Sequence, residues 1–504
     1  MDLRLDHELD LRTYELSKPH AADNVRALVQ RYCRSSRFEQ VSASPRPVRS
    51  VGIVGAGMMG TAVAAIHVKQ NLPVVITDVD RQMLDDARDR ILAELIDEGP
   101  EPGEPEPDKS AGAMSAQDAR RLVERLVHPT TEEALLGQCD LVIESISETI
   151  PAKRQLYARV EPLLRDGAIL ASNTSTIPVG RLVEGLAEPD RFCGLHFFHP
   201  VRRRPLVEIV CGRQTADVTI ATAVAHAMAI DMVPIIVDDG PGFLVNRLLI
   251  PYLTEAMELL LEGVPIGAIE KAATDFGMAK GPLRLLDEIG LDTVLHAGWV
   301  LAEAFPERIL SSPLLISMIK AGRLGCKSRA GFFSYKRDGI DSDTARSDAA
   351  RSDKTVDRII AQWAGPPRPH TSQSIVFRLL LPMILEATRM IEAGKIHGLG
   401  DLEPGDIDLG AVLGLGFPAS AGGLLRWADT LSAARIVDLL QPLQRLGPRM
   451  QPTTLLQEMA RLDGRFYQHQ GPHWGIQRSR SINRTSEMLP NQAAESHPEP
   501  LPPM

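Results

Sequence analysis

One run of glycines in this chain has the spacing a phosphate group needs. In VGIVGAGMMG, Gly55, Gly57 and Gly60 follow a short apolar run and open an alanine-rich stretch, Met58–Asn71. Strand, glycines, then helix is the context a dinucleotide-binding turn requires. The first glycine makes the tight turn, the second lets backbone approach a pyrophosphate, and the third lets helix and strand pack closely. The helix start, with Met58 and Met59, offers free N–H groups and the positive end of the helix dipole to the phosphates. Asp78 closes the next apolar run, LPVVITDVD, 18 residues beyond Gly60. A carboxylate there accepts from both ribose hydroxyls and repels a 2′-phosphate, which predicts NAD rather than NADP as the cofactor.

Further along, polar residues recur at the ends of apolar runs. IESISE holds Glu148 and is followed by Lys153. SNTST holds Asn173 and Ser175, HFFHP holds His196, and RPLVEIV holds Glu208. DDGPGFLVNR ends with Asn246 and Arg247, and GPLRLLDEIGLD covers 281–292. The basic run Arg202–Arg204 meets either substrate phosphates or solvent at a strand edge. The cysteines (Cys33, Cys139, Cys193, Cys211, Cys326) form no CxxC pair, which suits free thiols in a reducing compartment and gives no metal signature.

The elements that must position these residues change character at Gly240. Before it, short buried-type runs alternate with helical ones. Strands are expected in RSVGIVGAG, LPVVITDVD, CDLVIESIS, GAILASNTS, RFCGLHFFHP, LVEIVCG and MVPIIVDD. Helices are expected over 58–71, 81–98, 116–126 and 153–164. Such alternation implies an α/β fold, a doubly wound, mainly parallel Rossmann-type sheet with helices on both faces. It spans residues 49–238. After Gly240 strands stop, and two tandem all-helical domains follow, 239–336 and 373–470. A linker over 337–372 joins them, with one helix at Asp353–Trp363.

The two helical units are an internal repeat. NRLLIPYLTEAMELLLEG and FRLLLPMILEATRMIEAG match at one offset: Arg247/Arg378, Pro251/Pro382, Glu255/Glu386 and Gly263/Gly394. GPLRLLDEIG then echoes GGLLRWADTL. Residues 1–48 form an extension with one helix around Ala21–Cys33. The stretch GPEPGEPEPDKSAGAMSA is a mobile acidic excursion, and 471–504 a disordered tail.

With 65 acidic against 55 basic residues, a formal net of -10, the chain is not built to neutralise a nucleic-acid backbone. No apolar run reaches the ~20 residues of a membrane span. The N-terminus MDLRLDHELDLRTYEL lacks the apolar stretch of a signal peptide. These features place the protein in the cytoplasm.

Taken in order, these motifs resemble the NAD-binding and C-terminal domains of 3-hydroxyacyl-CoA dehydrogenases. From about Ser50 to Tyr467 the chain is similar to the dehydrogenase portion of the alpha subunit of bacterial fatty-acid oxidation complexes. There the second helical repeat carries GLGFP and a Gly–Gly…Asp pattern, here GLGFPASAGGLLRWAD (414–429). The enoyl-CoA hydratase domain of such subunits has no counterpart expected in residues 1–48. The resemblance implies NAD-dependent oxidation of a (3S)-3-hydroxyacyl-CoA to the 3-oxoacyl-CoA in fatty-acid β-oxidation. His196 would be the general base, a role suited to an imidazole, and Glu208 its partner carboxylate. Ser175 and Asn246 would bind and polarise the substrate oxygen. Glu148, Lys153 and Asn173 would line the nicotinamide end of the cofactor. The acyl-CoA would lie between sheet and helical domains. The expected assembly is a homodimer or a complex with a thiolase or hydratase. Two alternatives accompany this reading: a 3-hydroxybutyryl-CoA dehydrogenase of short-chain metabolism, and a non-catalytic NAD-binding scaffold. Family members often carry lysines on the helix after the second strand, where this chain is mostly acidic.

Overall fold

The computed structural model of the chain describes residues 21–33, 43–96, 114–335, 353–396 and 400–467. Residues 99–113 of the expected acidic excursion, residues 337–352 of the linker and the tail lie outside the described residues.

The apolar runs of the first half form one eight-stranded sheet among the described residues. Its strands are β1 (Val51–Val54), β2 (Val74–Thr77), β3 (Val127–Pro129), β4 (Leu141–Glu144), β5 (Ile169–Ser172), β6 (Phe192–Phe197), β7 (Leu206–Cys211) and β8 (Val233–Asp238). They run in the order β3-β2-β1-β4-β5-β6-β7-β8. Every residue of β1, β4, β5, β6 and β7 is buried, because helices cover both faces. Neighbours pair in parallel except β6 and β7, which are antiparallel. The chain order reverses between β1 and β4, and crevices for ligands open outside the strand ends at such a switch point.

Helices α1 (Ala21–Cys33), α2 (Met58–Lys69), α3 (Arg81–Asp85), α4 (Ala87–Ile96), α5 (Ala116–Leu126), α6 (Ile150–Val160), α7 (Val179–Leu182) and α8 (Asp217–Ala229) belong to the first half. Three details depart from expectation. The 81–98 helix is two helices, broken at Asp86. The 153–164 helix starts one turn earlier, with Pro151 in its first turn, where a missing N–H costs nothing. And β3, a three-residue edge strand, is too short to give a periodic signal.

The second half consists of α9 (Val245–Leu261), α10 (Ile266–Phe276), α11 (Pro282–Ile289), α12 (Leu291–Ala304), α13 (Pro313–Lys320), α14 (Lys354–Trp363), α15 (Ser372–Ala393), α16 (Pro404–Leu409), α17 (Leu424–Leu431), α18 (Ala433–Leu440) and α19 (Thr454–Leu462). A two-residue antiparallel ladder, Lys395–Ile396 with Gly400–Asp401, and isolated bridges joining Ala330 to Gly325 and Ser334 depart from the expected all-helical pattern. Helices α9 and α15 lie against each other, each with a buried proline inside it, Pro251 and Pro382. Helix α1 buries Val25, Leu28, Val29 and Tyr32, a stripe at helical spacing, and packs against α16. The N-terminal extension thus docks on the second helical unit. No helix among the described residues is long and apolar enough to cross a membrane.

Candidate active site

The glycine turn joins β1 to α2. Gly55 has φ +107°, and a Cβ there would stand 2.6 Å from the Ser145 carbonyl oxygen. A Cβ on Gly60 would overlap the Gly55 carbonyl oxygen at 1.8 Å. Around Gly57 the situation is reversed: a Cβ would meet nothing within 4 Å. Gly57 is the cap residue of α2, so its open face lies at the helix N-terminus, where a diphosphate is favoured. Asp78, at the end of β2, accepts from Ala56 N (2.7 Å) and Asp80 N (2.9 Å). Its carboxylate is therefore fixed beside the turn, with lone pairs left for ribose hydroxyls. These residues fit a dinucleotide. Met58 and Val79 stand next to Gly57 and Asp78 and are exposed by 61% and 96%, unusual for large apolar side chains. Met59 is half-buried in the same first turn. Only Val79 of these was not anticipated.

The ends of β4 and β5 carry a buried polar network. Glu144 closes β4 and is fully buried. One of its oxygens accepts from Lys153 Nζ (2.6 Å) and Ile146 N (2.8 Å); the other accepts from the Tyr157 hydroxyl (2.6 Å) and the Ser172 hydroxyl (2.8 Å). Lys153 also reaches Glu148 at 3.2 Å. Glu148 accepts from the Thr174 hydroxyl (2.7 Å), Ser175 N (2.8 Å) and Thr176 N (3.1 Å). Burial raises the Glu148 carboxyl, but Lys153 and these hydrogen bonds outweigh it and hold it below its ordinary value. A solvated charge pair is thus excluded: Lys153 is 1% exposed. Glu144, Tyr157 and Thr174 were not singled out from sequence. The available signal was a lone carboxylate ending a four-residue apolar strand. Asn173 bonds Phe197 N (2.9 Å) and the Ser145 hydroxyl (3.3 Å), fastening β5 to β6.

His196 and Glu208 are brought together by the antiparallel pairing of β6 and β7, in which they stand directly opposite. His196 Nδ1 lies 2.6 Å from Glu208 Oε2. The other carboxylate oxygen accepts from Leu244 N (3.0 Å) and Val245 N (2.9 Å), the first turn of α9. Glu208, fully buried, thus joins the sheet, the imidazole and the helical half. An acceptor-only carboxylate requires the proton on Nδ1, which leaves the Nε2 lone pair available. The ring packs against Phe198 and Phe243, with centroids 4.4 and 5.8 Å away.

Ser175 and Asn246 also meet. Asn246 Nδ2 donates to the Ser175 carbonyl at 2.8 Å. Ser175 is held at its N–H by Glu148 and at its C=O by Asn246, while no described protein group bonds its hydroxyl. Asp239, from the same DDGPGFLVNR motif, accepts from Val179 N (2.5 Å) and Gly180 N (2.7 Å) and ties that segment to α7. Two residues of the basic run are half-buried against protein groups. Arg202 pairs with Glu94 at 2.9 Å, and Arg204 Nη1 donates to the Gly414 carbonyl at 2.6 Å, so both bind protein partners.

The family model for the NAD-binding domain of 3-hydroxyacyl-CoA dehydrogenase matches residues 50–240, and that for the C-terminal domain matches 242–335. Among solved structures, a 3-hydroxybutyryl-CoA dehydrogenase from Escherichia coli K12 is similar over 83% of this chain and 99% of its own, with 26% identity and a TM-score of 0.68. An (S)-3-hydroxybutyryl-CoA dehydrogenase from Ralstonia eutropha matches over 58% of this chain and 100% of its own, with 31% identity and a TM-score of 0.52. The dehydrogenase part of a multifunctional enzyme from C. elegans shares the fold over 90% of this chain and 99% of its own, at 23% identity and a TM-score of 0.59.

Proposed function

This chain belongs to the 3-hydroxyacyl-CoA dehydrogenase family and is an NAD-dependent oxidoreductase, and we propose that it oxidises (3S)-3-hydroxyacyl-CoA thioesters to 3-oxoacyl-CoA with His196 as the base. The observation that supports this most is the Glu208 carboxylate, which holds His196 Nδ1 at 2.6 Å and anchors α9 with its other oxygen. NAD, when bound, supplies the hydride acceptor. His196 Nε2 takes the proton of the 3-hydroxyl, and Glu208 stabilises the resulting imidazolium without moving, since its geometry is already set. The Ser175 hydroxyl, fixed by Glu148 and Asn246 through its backbone, binds the substrate oxygen. Glu148 and Lys153 would line the nicotinamide end of the bound cofactor, and Gly57 and Asp78 would hold its diphosphate and ribose.

The reading includes a role in fatty-acid β-oxidation, as a homodimer or in a complex with a thiolase or hydratase. Short-chain substrates form the second reading, motivated by the likeness to 3-hydroxybutyryl-CoA dehydrogenases. The test is NADH consumption by the purified protein with acetoacetyl-CoA and longer 3-oxoacyl-CoAs, beside His196→Gln. Rapid NADH oxidation that the variant loses while still binding NADH is the expected result, and the chain-length series separates the two readings. Measured NADH binding with no turnover on any thioester overturns the proposal in favour of a binding scaffold.

A further inference from the structure

The Glu208 oxygen that faces away from His196 accepts from Leu244 N and Val245 N at the start of α9. Whatever fixes Leu244 and Val245 therefore fixes the carboxylate that holds the imidazole. Both residues are buried. Against them lies one buried π-helical turn of the second repeat, Gly410–Gly414, which follows α16 and leads into the GLGFP run. A Cβ on Gly410 would stand 2.5 Å from Leu244 Cδ2, and one on Gly414 would stand 2.8 and 2.9 Å from the two methyls of Val245. Neither glycine takes a positive φ, so these positions require close approach rather than an unusual backbone. Single π-helical turns recur at functional sites.

The same turn meets the sheet. A Cβ on Gly414 would come within 3.2 Å of Leu206 Cδ2, at the start of β7, the strand of Glu208. Arg204, in the connection between β6 and β7, donates from Nη1 to the Gly414 carbonyl at 2.6 Å. Gly414 thus touches the helix start that binds Glu208, the strand that carries it, and the connection between that strand and the strand of His196.

We propose that Gly414, with Arg204 bonded to its carbonyl, is a positioning residue for the His196–Glu208 pair. The proposal rests on His196 being the base. Val245 is β-branched and stiff, and close-packed interiors pass a displacement on rather than absorb it. A methyl on Gly414 therefore moves Val245, its N–H and the Glu208 carboxylate together, and the hydrogen bond to His196 Nδ1 loses its aim. Removing the Arg204 donor frees the same turn from the sheet.

The test uses the full chain labelled with 15N-histidine, with the His196 signals identified by their loss in His196→Gln. In Gly414→Ala and Arg204→Met the His196 nitrogen shifts should move. Turnover of 3-oxoacyl-CoA should fall by about 10- to 100-fold, with KM for NADH unchanged. Thr371→Ala, which loosens the second repeat at a different point, should lower Tm and move neither readout. A Gly414→Ala variant with parental nitrogen shifts and kcat overturns the proposal. So does a Thr371→Ala variant that moves both as far, because the effect then belongs to the repeat as a whole. If Gly414→Ala does not fold, Arg204→Met, which crowds no contact, decides: parental shifts and kcat overturn the proposal. If the parent binds NADH but turns over no thioester, the proposed reaction fails, and the nitrogen shifts alone decide whether Gly414 positions His196.

Discussion

Helices α9 and α15 carry arginine, proline, glutamate and glycine at matching positions, and each arginine crosses to the other helix's glutamate: Arg247 to Glu386, Arg378 to Glu255. The likeness extends past the helices. Glu270 in the first unit and Asp408 in the second accept from Leu283 N and Leu425 N, at 2.8 and 2.6 Å. Asp287 and Asp429 accept from Phe332 N and Phe466 N, both at 2.8 Å. The difference lies at the first turn of the long helix. The free N–H groups opening α9 are taken by Glu208, which arrives from the sheet, and Asn246 follows there. Helix α15 closes its own start with Thr371 and Ser374 in a reciprocal capping box and has Phe377 where Asn246 stands in the first repeat. The two starts differ in source: α9 is tied to the sheet through Glu208, and α15 is closed by its own residues. We therefore read the second repeat as a buttress, and the first as the unit that reaches the proposed site.

The largest expected effect separates those two caps. Glu208→Gln keeps an oxygen for Leu244 N and Val245 N, but its amide donates to His196 Nδ1 and forces the proton onto Nε2. Turnover should fall about 10²–10⁴-fold with little change in Tm; a variant within tenfold of the parent would contradict the assigned base. Next comes the exchanged ion pair. Glu255→Ala strands Arg449, leaves Arg378 with Glu262 alone and should cost about 3 kcal/mol in urea unfolding, and a loss below 1 kcal/mol would mean the repeats do not lean on this pair.

A pH scan sharpens the comparison between Glu270 and Asp408. Asp408 uses both oxygens, on Leu425 N and Arg426 N. Glu270 has one buried oxygen with no hydrogen bond, only the Arg284 guanidinium 3.7 Å away, and burial pushes its carboxyl up to about 7. A raised acid pKa means the fold prefers the protonated form, so stability falls as pH rises from about 4.5 to 7. Glu270→Gln should abolish that fall, worth about 3 kcal/mol above pH 7; an unchanged pH profile would show that the carboxyl titrates normally. The smallest effect belongs to the second cap. Thr371→Ala should lower stability by about 1 kcal/mol and leave kcat untouched, and any loss of kcat would contradict the buttress role.

The sequence alone determined the features that depend on neighbours in the chain. Gly55, Gly57, Gly60 and Asp78 were legible because strand, turn, helix and next strand follow one another within a few residues. The helices at 21–33 and 116–126 were legible because apolar spacing and end residues are local. The repeat was legible as residue matches, but not the exchange of its ion pairs. Tertiary structure alone decided that β7 runs antiparallel to β6, which sets Glu208 opposite His196. It also decided that Glu144 anchors Lys153, and that Arg202 and Arg204 serve protein partners. Register between strands distant in sequence is fixed by which faces become buried. The fate of a charge is fixed by which partner burial brings within reach, and neither is encoded in the spacing of residues along one segment.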